Sequence, residues 1–244
     1  MVSELVAGLV RRRPEIRPRE NCPAGTGRSP LGDETGMESL RRKRPKPSIG
    51  APYSMSRRPA LFRQSDTARA VTGADIVVDA LVRHGVKHVF IFPGGTIAPI
   101  LDSIEKRTNI EIICPRTEQG AGFAAISYAR LTGKPAMFMV TSGPGVTNAV
   151  TPIADAYYDN VPMVVITGQV GTGDMRGDLP IKQRGFQEVD TVDLLRPITK
   201  KSFLVKDAAA CLPAIMEEAF FLAGSGRQGP VVIDLPMNIQ RDLC

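Results

Sequence analysis

Five short apolar runs constrain this chain more than any other feature, because they alternate with stretches of helical spacing. The runs are "KHVFIF" (87–92), "NIEIIC" (109–114), "PAMFMVT" (135–141), "VPMVVITG" (161–168) and "GPVVIDLP" (229–236). Around them lie "TGADIVVDALVRHG", "TIAPILDSIEK", "EQGAGFAAISYARLTG", "VTNAVTPIADAYYD" and "DAAACLPAIMEEAFFLAGSG". These carry apolar residues at helical intervals, and several end in glycine. Strands that are apolar on both faces must be covered on both faces. The pattern predicts an α/β domain over residues 71–244, an open parallel sheet with helices on both sides.

Residues 1–70 read differently. They are rich in Arg and Pro, as in "RRRPEIRPRE" and "RRKRPKPSIG", with no apolar period. Such a stretch cannot bury enough surface to offset its ordering entropy, so it is expected to be a disordered tail. It holds 15 Lys and Arg against 7 Asp and Glu, a local net of +8, while the whole chain carries +6. The folded part is therefore slightly acidic, and a nucleic-acid partner is not expected.

The four cysteines, Cys22, Cys114, Cys211 and Cys244, form no C-x-x-C pair. Neither a zinc site nor a redox motif is indicated, and no metal ligands are assigned. His84 and His88 flank Gly85 at an expected helix end and suit a surface role. No segment is long and apolar enough to span a bilayer. A reduced, cytoplasmic protein is expected, and the Arg-rich start also admits an organelle transit peptide.

Ligands of open parallel sheets sit beyond the carboxyl ends of the strands. The strand ends here read "PGG", "PRTE", "TSGPG" and "TGQ". One of them carries Glu118, at the start of a helix. An acid there either caps the helix through its dipole or serves a site, and spacing leaves both open. The turn "TSGPGVTN" hints at an anion cradle. It is no dinucleotide fingerprint, since Asn148 stands at the last glycine position, no Walker lysine follows, and Pro144 lacks an N–H.

Longer stretches carry a resemblance. They are "VFIFPGGTIAPILDSI", "RTEQGAGFAAISYARLTGKPA", "VTSGPGVTNAVTPIADAYYDNVPMVVITGQV", "FQEVD", "RPITKKSFLV" and "SGRQGPVVIDLP". In this order they resemble the N-terminal, pyrimidine-binding domain of thiamine-diphosphate enzymes, most of all the acetolactate synthase (acetohydroxyacid synthase) large subunit. The resemblance implies that Glu118 meets N1′ of the cofactor's aminopyrimidine as an acid/base relay. It places Pro93, Gly94, Thr141, Pro144 and Asn148 around the pyrimidine. It puts Gln119, Phe186 and Gln187 on the substrate side. Arg227 matches an arginine that contacts FAD, with a helix-end cap as the alternative.

The implied role is decarboxylating carboligation of a 2-ketoacid in branched-chain amino acid biosynthesis. The family holds the diphosphate through Mg2+ in a second domain, marked by Gly-Asp-Gly and a later Asn. No Gly-Asp-Gly occurs here; Gly173-Asp174 and Gly177-Asp178 lack the rest. The chain is therefore expected to be half of a site, completed by a diphosphate-binding domain or subunit in a homo- or hetero-oligomer. A truncated, non-catalytic remnant or interaction module, or a component of a related decarboxylase or oxidase, is the alternative. Two departures bear on substrate: Thr117 stands where the family has His, and the link between "GQV" and "FQE" is long and charged.

Overall fold

A computed structural model describes residues 70–244. The tail expected over 1–70 lies, apart from its last residue, outside the described residues. The elements are α1 (Gly73–Arg83), β1 (His88–Ile91), a 3₁₀ turn (Gly95–Ile97), α2 (Ala98–Arg107), β2 (Glu111–Ile113), α3 (Glu118–Thr132), β3 (Ala136–Val140) and α4 (Pro144–Tyr158). Then come β4 (Met163–Gln169), α5 (Thr191–Leu195), β5 (Lys201–Leu204), α6 (Ala208–Gly224), β6 (Pro230–Pro236) and α7 (Met237–Arg241). Six strands form one sheet in the order β2-β1-β3-β4-β6-β5, and every pairing is parallel.

Alternate residues of the inner strands feed two cores. Met137 and Met139 of β3, with Val164 and Ile166 of β4, pack with α1, α2 and α6. Phe138 and Val140, with Met163 and Val165, pack with α3 and α4. This is the two-sided covering expected of strands without a polar face.

Helix α1 begins with a reciprocal cap. Asp75 N–H donates to Thr72 Oγ1 at 3.2 Å, and Thr72 N–H donates to Asp75 Oδ2 at 3.0 Å. Asp75 also accepts from Ser103 at 2.7 Å and pairs with Arg107 at 3.2 Å, so the cap ties α1 to α2. Burial pushes the Asp75 pKa up, but the bonds from Ser103 and Thr72 and the Arg107 charge outweigh it, and the net shift is downward.

From β1 the chain steps outward to β2, then returns to place β3 on the other side of β1. The carboxyl ends of β1 and β3 therefore border the crevice where ligands of such sheets bind. The two ends of the described domain are clasped. Thr72 bridges Leu243 in antiparallel fashion, Gly73 N–H donates to Asp242 O at 3.1 Å, and Cys244 N–H donates to Val71 O at 2.8 Å.

Candidate functional site

The turns after β1 and β3 touch. Thr96 Oγ1 lies 2.7 Å from Thr141 Oγ1 and accepts from Ser142 N–H at 3.0 Å. Gly94 backs directly onto Thr141: a Cβ there would lie 2.3 Å from the threonine Cβ. Its requirement is space, because its backbone is extended at φ −163°. Gly94→Ala is therefore expected to destabilise the fold by roughly 1–3 kcal/mol through overpacking. Urea unfolding of the variant checks this, and an unchanged midpoint would show that the contact is soft.

Gly143, after β3, has a different requirement. Its φ is +58°, a conformation that side chains disfavour, and an added Cβ would lie 2.6 Å from Gln187 O. The backbone of the later loop thus bears on this turn. Pro144 follows at the first turn of α4, where a missing N–H costs nothing.

Glu118 is the first residue of α3. Thr117 is the N-cap, and its Oγ1 accepts from Gly120 N–H at 3.0 Å. Thr117 therefore caps the helix through its own side chain, while Glu118, as the acid of the first turn, also suits the helix dipole. The Glu118 residue is only 8% exposed. Asn148, on α4, donates through Nδ2 to its Oε2 at 3.2 Å. No hydrogen bond to Oε1 and no ion pair to either oxygen occur among the described residues. An almost buried carboxylate with one oxygen free and no cation beside it can accept a further hydrogen bond.

The small residues after Glu118 pack inward. Ala121 and Ala125 are buried in the core shared with α4, and Gly122 lies against Pro152. They permit close contact of two helices within the domain. Gln119 is exposed on the first turn of α3, Pro93 is exposed after β1, and Phe186 is 82% exposed in the loop that follows β4.

Contacts pair half of the sequence-selected residues: Glu118 with Asn148, Gly94 with Thr141, and Gln187 with the neighbouring Gly143. Arg227 stands apart. It precedes β6, at the amino-terminal rim of the parallel sheet, and donates through Nε to Asn160 Oδ1 at 2.5 Å. Nor does it close the end of α6. That end is closed by Lys200, which donates to Leu222 O and to Ser225 O, and by Gln228, which donates to Gly224 O at 3.2 Å. The histidines also sit at the amino-terminal rim with local partners. His84 stacks on Phe220 and bonds Glu217 at 2.8 Å, while His88 bonds the Tyr128 hydroxyl at 3.2 Å.

Sequence reasoning missed a buried acid. Asp234 of β6 is 2% exposed and faces its register partner Thr167, which donates to it at 2.8 Å. Gln169 Nε2 donates to the other oxygen at 3.0 Å and to Val189 O at 2.9 Å. Burial pushes the Asp234 pKa up to about 7, against the opposing bonds from Gln169, Thr167 and Thr191. The available signal was polar residues closing two otherwise apolar strands, Thr167 and Gln169 on one and Asp234 on the other.

Among the described residues no helix is long and apolar enough to cross a membrane, and no three His, Cys, Asp or Glu side chains cluster for a metal ion.

A doubly covered parallel sheet, with close-set turns and a nearly buried acid at its carboxyl rim, has the architecture in which open α/β domains bind ligands. The family described as "Thiamine pyrophosphate enzyme, N-terminal TPP binding domain" matches residues 71–194, and the chain belongs to it. The chain is similar to the mitochondrial acetolactate synthase of Schizosaccharomyces pombe, with 49% identity over 168 residues, covering 69% of this chain and 24% of the relative. The chloroplastic acetolactate synthase of Arabidopsis thaliana is 48% identical over 172 residues, covering 70% of this chain and 25% of the relative. The acetolactate synthase isozyme 1 large subunit of Escherichia coli (strain K12) is 46% identical over 176 residues, covering 72% and 30%. The chain spans about a quarter of the length of the first two.

Proposed function

We propose that this chain supplies the aminopyrimidine half of a thiamine-diphosphate site in an acetolactate-synthase-like carboligase of 2-ketoacids. A diphosphate-binding domain, on another part of a longer protein or on another subunit, completes the site and brings the Mg2+. The observation that carries this reading is Glu118: nearly buried, held on one side by Asn148, and free on the other. A positively charged partner would make it structural, and none lies beside it among the described residues.

When bound, the cofactor supplies the electron sink that a 2-ketoacid needs to lose carbon dioxide. The chain's own residues prepare that chemistry. Glu118 holds or shares a proton at the ring nitrogen N1′. Asn148 fixes the carboxylate's rotamer by bonding Oε2. Gly94, Thr141 and Gly143 keep the rim turns low, so that a flat ring can approach backbone, and Pro93 and Pro144 stiffen the same turns. Gln119, Phe186 and Gln187 face the substrate side. Arg227 lies at the opposite rim and takes no part in this half-site; FAD contact through it belongs to a separate surface.

Isothermal titration with thiamine diphosphate and Mg2+ tests the half-site. Among the described residues no cluster of side chains would hold Mg2+ and the diphosphate, so the Kd of the chain alone is expected to be weaker than about 100 μM. Adding a diphosphate-binding domain from a relative is expected to restore tight binding. A low-micromolar Kd for the chain alone would overturn the half-site reading.

A further inference from the structure

The loop between β4 and α5 is organised around a carboxylate. Glu188 Oε1 accepts from Arg176 N–H at 2.6 Å, and its Oε2 accepts from Arg184 N–H at 2.9 Å and Gly185 N–H at 3.1 Å. Three backbone donors from two separate stretches thus converge on a single side chain. The Arg176 guanidinium pairs in turn with Asp190, which reinforces the same closure. Partial burial pushes the Glu188 pKa up, but these backbone donors and the Arg176 charge outweigh it, and the net shift is downward.

The residues just before Glu188 need such a hold. Gln187 has φ +58°, a conformation uncommon for a residue with a side chain, and both its carbonyl and its Cβ crowd Gly143. Phe186 is 82% exposed, so no core contact of its own fixes the segment. Gly185 is buried against Val170 and anchors only its own position.

We propose that Glu188 is a positioning residue: its carboxylate locks segment 176–187, so that Gln187 bears on Gly143 and Phe186 stands as a fixed wall at the rim. The value of that wall to catalysis rests on the thiamine-diphosphate reading; the lock itself does not. A long loop with exposed Leu179 and Ile181 would otherwise sample many shapes. The lock makes it a preformed part of the site.

The lock can be read without cofactor. The loop carries Arg176, Lys182 and Arg184, so trypsin reports its opening. In the full chain, Glu188→Ala is expected to raise cleavage after Lys182 and Arg184 at least about 10-fold, with faster amide exchange over 176–187. Exchange in β3 and β4, and the urea midpoint of the domain, are expected to stay near wild type. Glu188→Gln, which keeps one acceptor, is expected to fall between the two, and it decides the matter if Glu188→Ala fails to fold. Unchanged loop cleavage, or a rise spread evenly through the sheet, would overturn the positioning role and leave the cofactor reading standing.

Discussion

In the chain complemented by a diphosphate-binding domain, Glu118→Gln is expected to slow exchange of the cofactor's C2 proton by roughly 10²–10⁴-fold, the usual reach of general acid–base catalysis. The side chains are nearly isosteric, and Thr117 rather than Glu118 caps α3, so the fold should survive. Asn148 can still donate to the amide oxygen. What is lost is the acid: an amide can donate a hydrogen bond to a ring nitrogen but cannot transfer a proton to it. Hydrogen–deuterium exchange at C2, followed by NMR, reads this step apart from later chemistry. Wild-type exchange in a variant that binds cofactor normally would make Glu118 a structural acid and end the catalytic reading.

The second large effect is on stability and involves Asp234. Its pKa is raised from 3.8 to about 7, with burial as the main cause. Between those values the folded chain keeps a proton that the unfolded chain has released. Stability is therefore highest below the window, declines as pH rises through it, and levels off above pH 7. A shift of that size corresponds to on the order of 4 kcal/mol. Asp75, Glu188 and Glu217 are shifted the other way, so their contributions are present at neutral pH and lost only as acid protonates them. The fall between pH 5 and 7.5 thus belongs to Asp234. Urea unfolding at both values is expected to show wild type losing about 2–4 kcal/mol relative to Asp234→Asn. Parallel behaviour of the two proteins would mean that Asp234 is ionised throughout and fully compensated by its three donors.

The strands most plainly legible in the sequence are those buried along their whole length. β3, β4 and β6 are buried at every position, and a run such as "VPMVVITG" has no other sensible place. β5 was missed because it is a four-residue edge strand, exposed at Lys201 and only half-buried at Phe203. Its place is fixed by pairing with β6, a long-range contact that local pattern does not carry. α7 was missed for a related reason. It is five residues long and is held by Gln240, whose amide donates to Thr96 O at 2.6 Å and Leu235 O at 2.9 Å.

The candidate site was legible in kind rather than in arrangement. Glycine turns and an acid at strand ends are visible in one dimension. The partner of Glu118 was not: Asn148 was selected by resemblance, and only folding brings it across 30 residues of sequence to the carboxylate. Asp234 was hidden inside an apolar run, where its side chain reads as an exception until Thr167 is seen beside it in register. The small-residue stripe of α3 shows the limit of one-dimensional reading. Small side chains signal close approach but do not say by what, and here the neighbour is α4 of the same domain.

The clasp between residues 71–73 and 242–244 has a mechanical consequence. A load applied across the two ends of the domain falls first on the two backbone bonds from Gly73 and Cys244, which open in turn like a zip. Paired backbones stand about 5 Å apart, so the chain enters and leaves the domain by one door. A body wired in this way can be spliced into a longer polypeptide as a plug, or lifted out of one, without rethreading a strand.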